Sequence, residues 1–269
     1  MMSNSEMLTH KLLREYIKDL VANDQRVDGR GFDEMRPIEV LNGTFTKAEG
    51  EAWIKLGKTQ VLVGVKADIG EPFPDTPDKG VLVSNTELLP VASPTFEPGP
   101  PNENAIEIAR VVDRAIRSAD AIGLSSLVIE EGKLVYMLFL DMYVLDHDGN
   151  LEDALTIASL IALGRTEVPK VILKEDGEIE IKEEKWKVDL RDMPINFTFV
   201  KINGKLLLDP ILEEENVAEA AITLAIDKDR RVCSIQKKHG HFTMEEIINA
   251  AGIARDKWSE VAEMIKEVI

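Results

Sequence analysis

Three arginines and a crowd of carboxylates are the residues of this chain whose types and spacing could do chemistry. Arg110, Arg114 and Arg117 recur at i, i+4 and i+7, so on a helix their guanidinium groups share one face, with Ile108, Val112, Ala115 and Ile116 on its flanks. Two readings follow. The stripe is either a solvated face paired with acids such as Glu107 and Asp113, which is worth little energetically, or a ridge that tracks a phosphate backbone, for which forked guanidinium donors are well suited. The acids are Asp141, Asp146, Asp148, Glu152 and Asp153 around one strand-turn-helix, and Asp209 with Glu213, Glu214 and Glu215 after another strand. Carboxylates at turns and helix starts are the ordinary expectation. A metal-dependent hydrolytic site is the sharper one.

Other local signals lead nowhere. Gly57-Lys58-Thr59 invites a P-loop reading, but the glycine required five places earlier is Ala52, and the triplet lies in a hairpin instead of opening a helix. His239 and His241 form a polar turn rather than a metal pair, since no cysteine cluster or second histidine pair accompanies them. His10 and His147 bring no nucleophile signature either. The single cysteine, Cys233, cannot form an internal disulfide and reads as a small core residue. No metal and no cofactor is called for.

These residues need a scaffold, and the chain can supply it. At 269 residues and 44% hydrophobic content it can bury a full core. No stretch approaches the roughly 18 uninterrupted apolar residues that would cross a bilayer, and the N-terminal region lacks a signal peptide's apolar block, so the expectation is a cytoplasmic protein with no membrane contact. The formal charge of −17 excludes nucleic-acid binding by bulk electrostatics. Any RNA contact must be local or shared with a basic partner.

Leu8, Leu12, Leu13, Tyr16, Ile17, Leu20 and Val21 predict an amphipathic N-terminal helix. Alternation from Ala52 to Ile69, interrupted at Gly57-Lys58, predicts a hairpin, and the Pro- and acid-rich run Glu71 to Gly80 a solvated loop. A strand near Val81 to Leu89, a loop Pro94 to Pro101 and a helix from about Glu103 to Ile122 follow. Next come a strand Leu134 to Leu145 and a buried helix Leu151 to Leu163 stopped by Gly164. Two short strands and the acid-and-lysine-rich stretch Lys174 to Lys187 read as a domain boundary. Beyond it, strands Ile195 to Ile202 and Lys205 to Leu208 flank the turn Asn203-Gly204. Strands Ala221 to Ile226 and Val232 to Gln236 precede a helix capped at Thr243-Met244-Glu245-Glu246, then a closing helix from about Arg255. The expected organisation is an N-terminal helix over 1–25 and two α+β units, 26–187 and 188–269, with mixed sheets packed by helices.

Several ordered blocks resemble the RNase PH superfamily, which includes bacterial RNase PH, polynucleotide phosphorylase and the exosome ring subunits. Arg26-Val27-Asp28-Gly29-Arg30 with Glu34 and Arg36-Pro37-Ile38 is similar to its opening signature, and Gly50 through Val65 to its next block. Glu107 through Arg117 is similar to its arginine helix. Asp148-Gly149 followed by Ala154 to Leu163 falls where the family carries its phosphate-binding turn, and Asp209-Pro210 with Glu213-Glu214-Glu215 where it carries catalytic acids. The resemblance spans about Arg26 to Ile253 and implies the RNase PH fold.

Departures from the pattern imply which kind of member this is. Catalytic subunits carry Asp-Gly-Gly-Thr-Arg at the turn, where amides, hydroxyl and guanidinium hold the attacking phosphate. Here the turn reads Asp148-Gly149-Asn150-Leu151-Glu152, Asn104 replaces the arginine before the helix, and Glu215 stands where the second aspartate would be. A glutamate in the arginine's place turns attraction into repulsion of roughly 1 to 4 kcal/mol per contacting charge pair. The chain therefore resembles the non-catalytic ring subunit of an archaeal exosome, with no catalytic residue of its own and Arg110, Arg114 and Arg117 as RNA contacts. The resemblance implies a homologous catalytic partner, a hexameric ring built as a trimer of heterodimers, RNA-binding cap proteins, and 3′ to 5′ phosphorolysis by the partner. An autonomous phosphorolytic exoribonuclease and a metal-dependent RNA hydrolase are the alternatives.

Overall fold

The computed structural model describes residues 4–41, 45–174 and 178–269, with side chains from Lys11 onward. The fold is α+β, with two sheets sharing one buried helix. The larger sheet contains β1 (Ile38–Leu41), β2 (Gly50–Leu56), β3 (Thr59–Gly70), β4 (Val81–Leu88), β5 (Val128–Glu130) and β6 (Leu134–Asp146), in the order β1-β2-β3-β6-β4 with β5 paired to β6. Strict alternation buries every second residue of β2, and β3 follows the same pattern over its first half. This is the period-2 pattern of strands with one face on a core. β4 pairs with β6 in parallel. A parallel pair needs a crossover, which α2 (Glu103–Ser118) supplies. Asn102 caps α2 by accepting from the Ala105 amide at 2.9 Å, and the helix ends at Ser118 rather than Ile122, before Asp120 takes a left-handed φ of 48°.

The smaller sheet is antiparallel, in the order β10-β9-β11-β12: β9 (Ile195–Ile202), β10 (Lys205–Leu208), β11 (Ala220–Ile226) and β12 (Val232–His239). Asn203 and Gly204, with φ of 49° and 73°, make the tight β9–β10 turn. Between the sheets lies α3 (Leu151–Gly164), every residue of which is buried. It packs on β2, β3 and β9, so one helix joins both halves into a continuous core. Gly50 permits the close approach: a Cβ there would sit 2.3 Å from the Ala162 carbonyl oxygen and from Thr166 Oγ1.

Two sequence expectations need correction. The charged stretch 174–187 is not simply a boundary segment; residues 175–177 lie outside the described residues, but β8 (Ile179–Lys187) pairs antiparallel with β7 (Glu167–Leu173). Trp186 on β8 meets Tyr136 edge-on at 5.7 Å, which anchors an otherwise polar strand. The C-terminal region is one helix, α5 (Met244–Val268), not two; it passes through Gly252, where the absent side chain opens onto free space. The short α4 (Leu212–Val217) and the N-terminal α1 (Asn4–Ala22) complete the fold. Ile17 and Val21 of α1 pack against Val200, Ile202 and Leu207, while Leu12 and Tyr16 are exposed and the Leu8 side chain lies outside those described. Among the described residues no helix is long and apolar enough to cross a membrane.

Candidate functional site

The carboxylates separate into distinct environments. Asp209, fully buried just after β10 with a φ of 51°, is the centre of the first. Arg36 donates to it from Nη2 at 2.7 Å, from Nε at 3.0 Å and from its backbone amide at 2.7 Å. Arg30 Nη1 adds a bond at 3.1 Å and Asn150 Nδ2 one at 2.7 Å. Burial alone would raise this carboxyl's pKa, but the hydrogen bonds and charge of Arg36 hold it below the ordinary aspartate range. A neighbouring pair repeats the arrangement: Arg26 grips Glu214 with Nε at 2.9 Å and Nη2 at 2.6 Å, both side chains fully buried. The opening-signature arginines are thus spent on internal carboxylates.

Arg36 also shapes the Asp148–Glu152 turn. Arg36 Nη1 donates to the Asp148 carbonyl at 2.8 Å, and Thr59 Oγ1 donates to the Gly149 carbonyl at 2.7 Å while accepting from the Asp148 amide at 3.1 Å. Lys58 and Thr59, which mimic a P-loop in sequence, therefore sit at a hairpin whose threonine clamps this turn. Gly149 (φ 85°) cannot carry a side chain: a Cβ would lie 2.6 Å from Ile211 C and Leu212 N. Asn150 (φ 55°) follows and bridges Asp209 to Asp153 through Nδ2, at 2.7 and 2.8 Å. Asp153, fully buried, also accepts from Thr198 N and Oγ1. Burial drives its pKa far above the usual range despite these donors.

The third environment is a cavity beside the turn. Glu152, 4% exposed, pairs with Lys238 Nζ on β12 at 2.9 Å. The charge of Glu152 raises the Lys238 pKa. Glu215 accepts from the Asn150 amide at 2.8 Å. Burial first, then the nearby Glu152 carboxylate, push Glu215 up to about 7. His147 stacks on Phe96, ring centroids 5.3 Å apart, and burial lowers its pKa. Sequence reasoning missed Lys238, Phe96 and the clamp by Thr59. Lys238-His239-Gly240-His241 reads as a polar turn, and nothing local pointed the lysine at a glutamate 86 residues away.

The raised Glu215 pKa has a measurable consequence. Between the ordinary glutamate value and about 7, the folded chain holds a proton that the unfolded chain gives up, so this group's contribution to stability falls as pH rises through that window. Glu215→Gln removes the effect. In urea unfolding, the variant is expected to gain on the wild type by about 1–2 kcal/mol between pH 5 and pH 8, and a constant difference across that range would show that Glu215 titrates normally.

α2 buries Ala105, Ile108, Val111, Val112, Ala115 and Ile116 and divides its three arginines. Arg114 is half-buried, donating to Ser234 Oγ at 3.0 Å and Gln236 Oε1 at 2.7 Å on β12. Arg117 bonds Asp113 at 2.7 Å and the Leu82 carbonyl. Arg110 is exposed and has no hydrogen bond or ion pair among the described residues. The stripe expected from spacing is thus one free guanidinium followed by two that are engaged internally. Among the described residues no group of three or more His, Cys, Asp or Glu side chains is arranged to hold a metal ion.

A parallel-antiparallel larger sheet, an antiparallel smaller one, a shared buried helix and this turn define an RNase PH-type chain. Residues 34–169 match domain 1, and residues 192–257 domain 2, of the 3′ exoribonuclease family; the chain belongs to that family. Among similar proteins is the exosome complex component Rrp42 of Pyrococcus furiosus, 49% identical over 98% of this chain and 96% of the relative. That of Thermococcus onnurineus is 47% identical over 100% and 99%. A chain of the Archaeoglobus fulgidus exosome with RNA bound to the active site superposes with a TM-score of 0.88 at 43% identity, covering 96% of this chain and 99% of that one. An archaeal exosome core chain gives 0.85 at 39%, covering 97% and 99%.

Proposed function

We propose that this chain is a non-catalytic subunit of an archaeal exosome, a 3′ to 5′ phosphorolytic exoribonuclease complex, and that it contacts RNA and structures the active site of a homologous catalytic subunit. Three such pairs close a hexameric ring, a trimer of heterodimers, that RNA-binding cap proteins cover; the complex works in the cytoplasm. Residues 26–187 and 188–269 are its two RNase PH-like parts and residues 1–25 its N-terminal helix. The observation that carries the reading is the ion pair of Glu152 with Lys238. A carboxylate occupies the position from which an inorganic phosphate would have to be gripped, and its counter-ion already belongs to the chain. The high identity to archaeal exosome components over nearly the whole length supports the assembly. Arg110, free on the surface, is the RNA contact best supplied by α2, with Arg114 and Arg117 beside it holding the helix in place.

The purified chain is expected to release no nucleotide from RNA, with or without phosphate, while the complex with its catalytic partner releases nucleoside diphosphates. Chromatography of the products checks this. Diphosphates from the chain alone at a rate comparable to the complex would identify an autonomous phosphorolytic enzyme, and monophosphates that require Mg²⁺ or Mn²⁺ but no phosphate a metal-dependent hydrolase.

A further inference from the structure

The cavity beside the Asp148–Glu152 turn is a formed site that a scaffolding and RNA-contacting role leaves unused. Its volume is about 480 Å³, inside the range of small-molecule pockets. Phe96, stacked on His147, lines it together with Pro94. Val200, Leu212 and Ala221 give it a further apolar surface, and the amides of Asn104 and Asn216 reach it from exposed positions. Such a mixture of flat apolar surface and a few hydrogen-bonding groups suits a planar, polar molecule.

Charge selects among such molecules. A phosphate entering here would find the Lys238 ammonium already held by Glu152 at 2.9 Å and would have to lie beside that carboxylate. A cation would find the Glu152 charge already neutralised by Lys238 at 2.9 Å and would have to approach that ammonium. What remains unspent is the two amides, the His239 ring, the Glu215 carboxyl beyond its bond from Asn150, and the apolar walls. We propose that the cavity binds an uncharged planar heterocycle of up to nucleoside size, a nucleobase or a nucleoside without phosphate, packed against the Phe96–His147 wall and hydrogen-bonded by Asn104, Asn216 and Glu215. The cavity is lined by one chain, so the isolated chain is the material that tests it.

Calorimetric titration of the full chain with adenosine, guanosine, cytidine, uridine and adenine, with ADP and inorganic phosphate as charged comparators, tests it. At least one nucleoside or the free base is expected to saturate a single site at millimolar concentration or below, with ADP at least about tenfold weaker. Adenosine against adenine tells whether the ribose is recognised as well as the ring. Asn216→Trp, at an exposed position on the rim, is expected to abolish binding without lowering the melting temperature. Selective methyl labels on Val200, Leu212 and Ala221 follow the same titration in the unaltered chain, so the result does not depend on the variant's folding. Absence of saturation by every nucleoside and by adenine up to about 10 mM overturns the proposal. So does ADP binding as tightly as adenosine, or methyl shifts that leave these three residues untouched.

Discussion

Replacing Arg36 by methionine is expected to cost about 3–5 kcal/mol of stability, the range for breaking one side of a buried ion pair. The size follows from what Arg36 leaves behind. Asp209 is fully buried, and three of its five hydrogen bonds come from Arg36, one of them from the backbone amide that the substitution keeps. Arg30 and Asn150 contribute one each and cannot replace the missing guanidinium. The Asp148, Gly149 and Pro210 carbonyls lose a donor in the same step, so the turn should loosen as well. Urea unfolding measures the loss. Arg36→Met combined with Asp209→Asn should recover part of it, because the amide removes the unpaired negative charge, still accepts a hydrogen bond and tolerates the left-handed φ at this position. A loss below about 1 kcal/mol for the single substitution would mean that Asp209 does not depend on Arg36 for its charge.

This network also shows what was legible in the sequence. The fold was readable wherever the signal is local: the Asn203-Gly204 hairpin needs two positive φ values that these residues accept, and α2 and α3 announce themselves by periodicity and a terminal glycine. Charged β8 did not read as a strand because its partner β7 and the Tyr136–Trp186 contact supply the stabilisation that its composition withholds. The C-terminal helix reads as two in sequence because Gly252 weakens helix propensity, a cost that burial of Ala250, Ala254, Trp258 and Val261 outweighs. In the site, residue types were readable but their pairing was not. Arg26 with Glu214, Arg36 with Asp209 and Glu152 with Lys238 join positions 86 to 188 residues apart, and only the folded chain brings them together.

Under the proposed function, those pairings account for how so acidic a chain could contact RNA. The buried carboxylates Glu214, Asp209 and Glu152 are answered internally, by Arg26, Arg30, Arg36 and Lys238, and so are withdrawn from the field that an approaching phosphate feels. The remaining surface acids still repel nucleic acid at long range, a repulsion screened beyond about 8 Å at physiological salt. An RNA contact then depends on a cation placed at the surface without an acid of its own, and on a partner that supplies the wider positive field.

Arg110 is such a cation. Arg110→Glu in the assembled complex is expected to weaken RNA binding by roughly tenfold or more at low salt and to flatten the log-log salt dependence by about 0.7 for each phosphate that the guanidinium had neutralised. The weakening should be similar for every RNA sequence, since a bond to phosphate carries no base information. Assembly and melting temperature should stay unchanged, because Arg110 is exposed and makes no hydrogen bond or ion pair among the described residues. Arg114→Ala should behave in the opposite way. It removes bonds to Ser234 and Gln236 that tie α2 to β12, and Gln236 in turn holds Glu107, so stability should fall by about 1–2 kcal/mol before any effect on RNA is counted. Fluorescence titrations over a range of salt, paired with thermal melts of each variant, separate the two effects. If Arg110→Glu assembles normally and keeps both its affinity and its salt slope, α2 contributes packing alone and RNA must be held elsewhere in the ring.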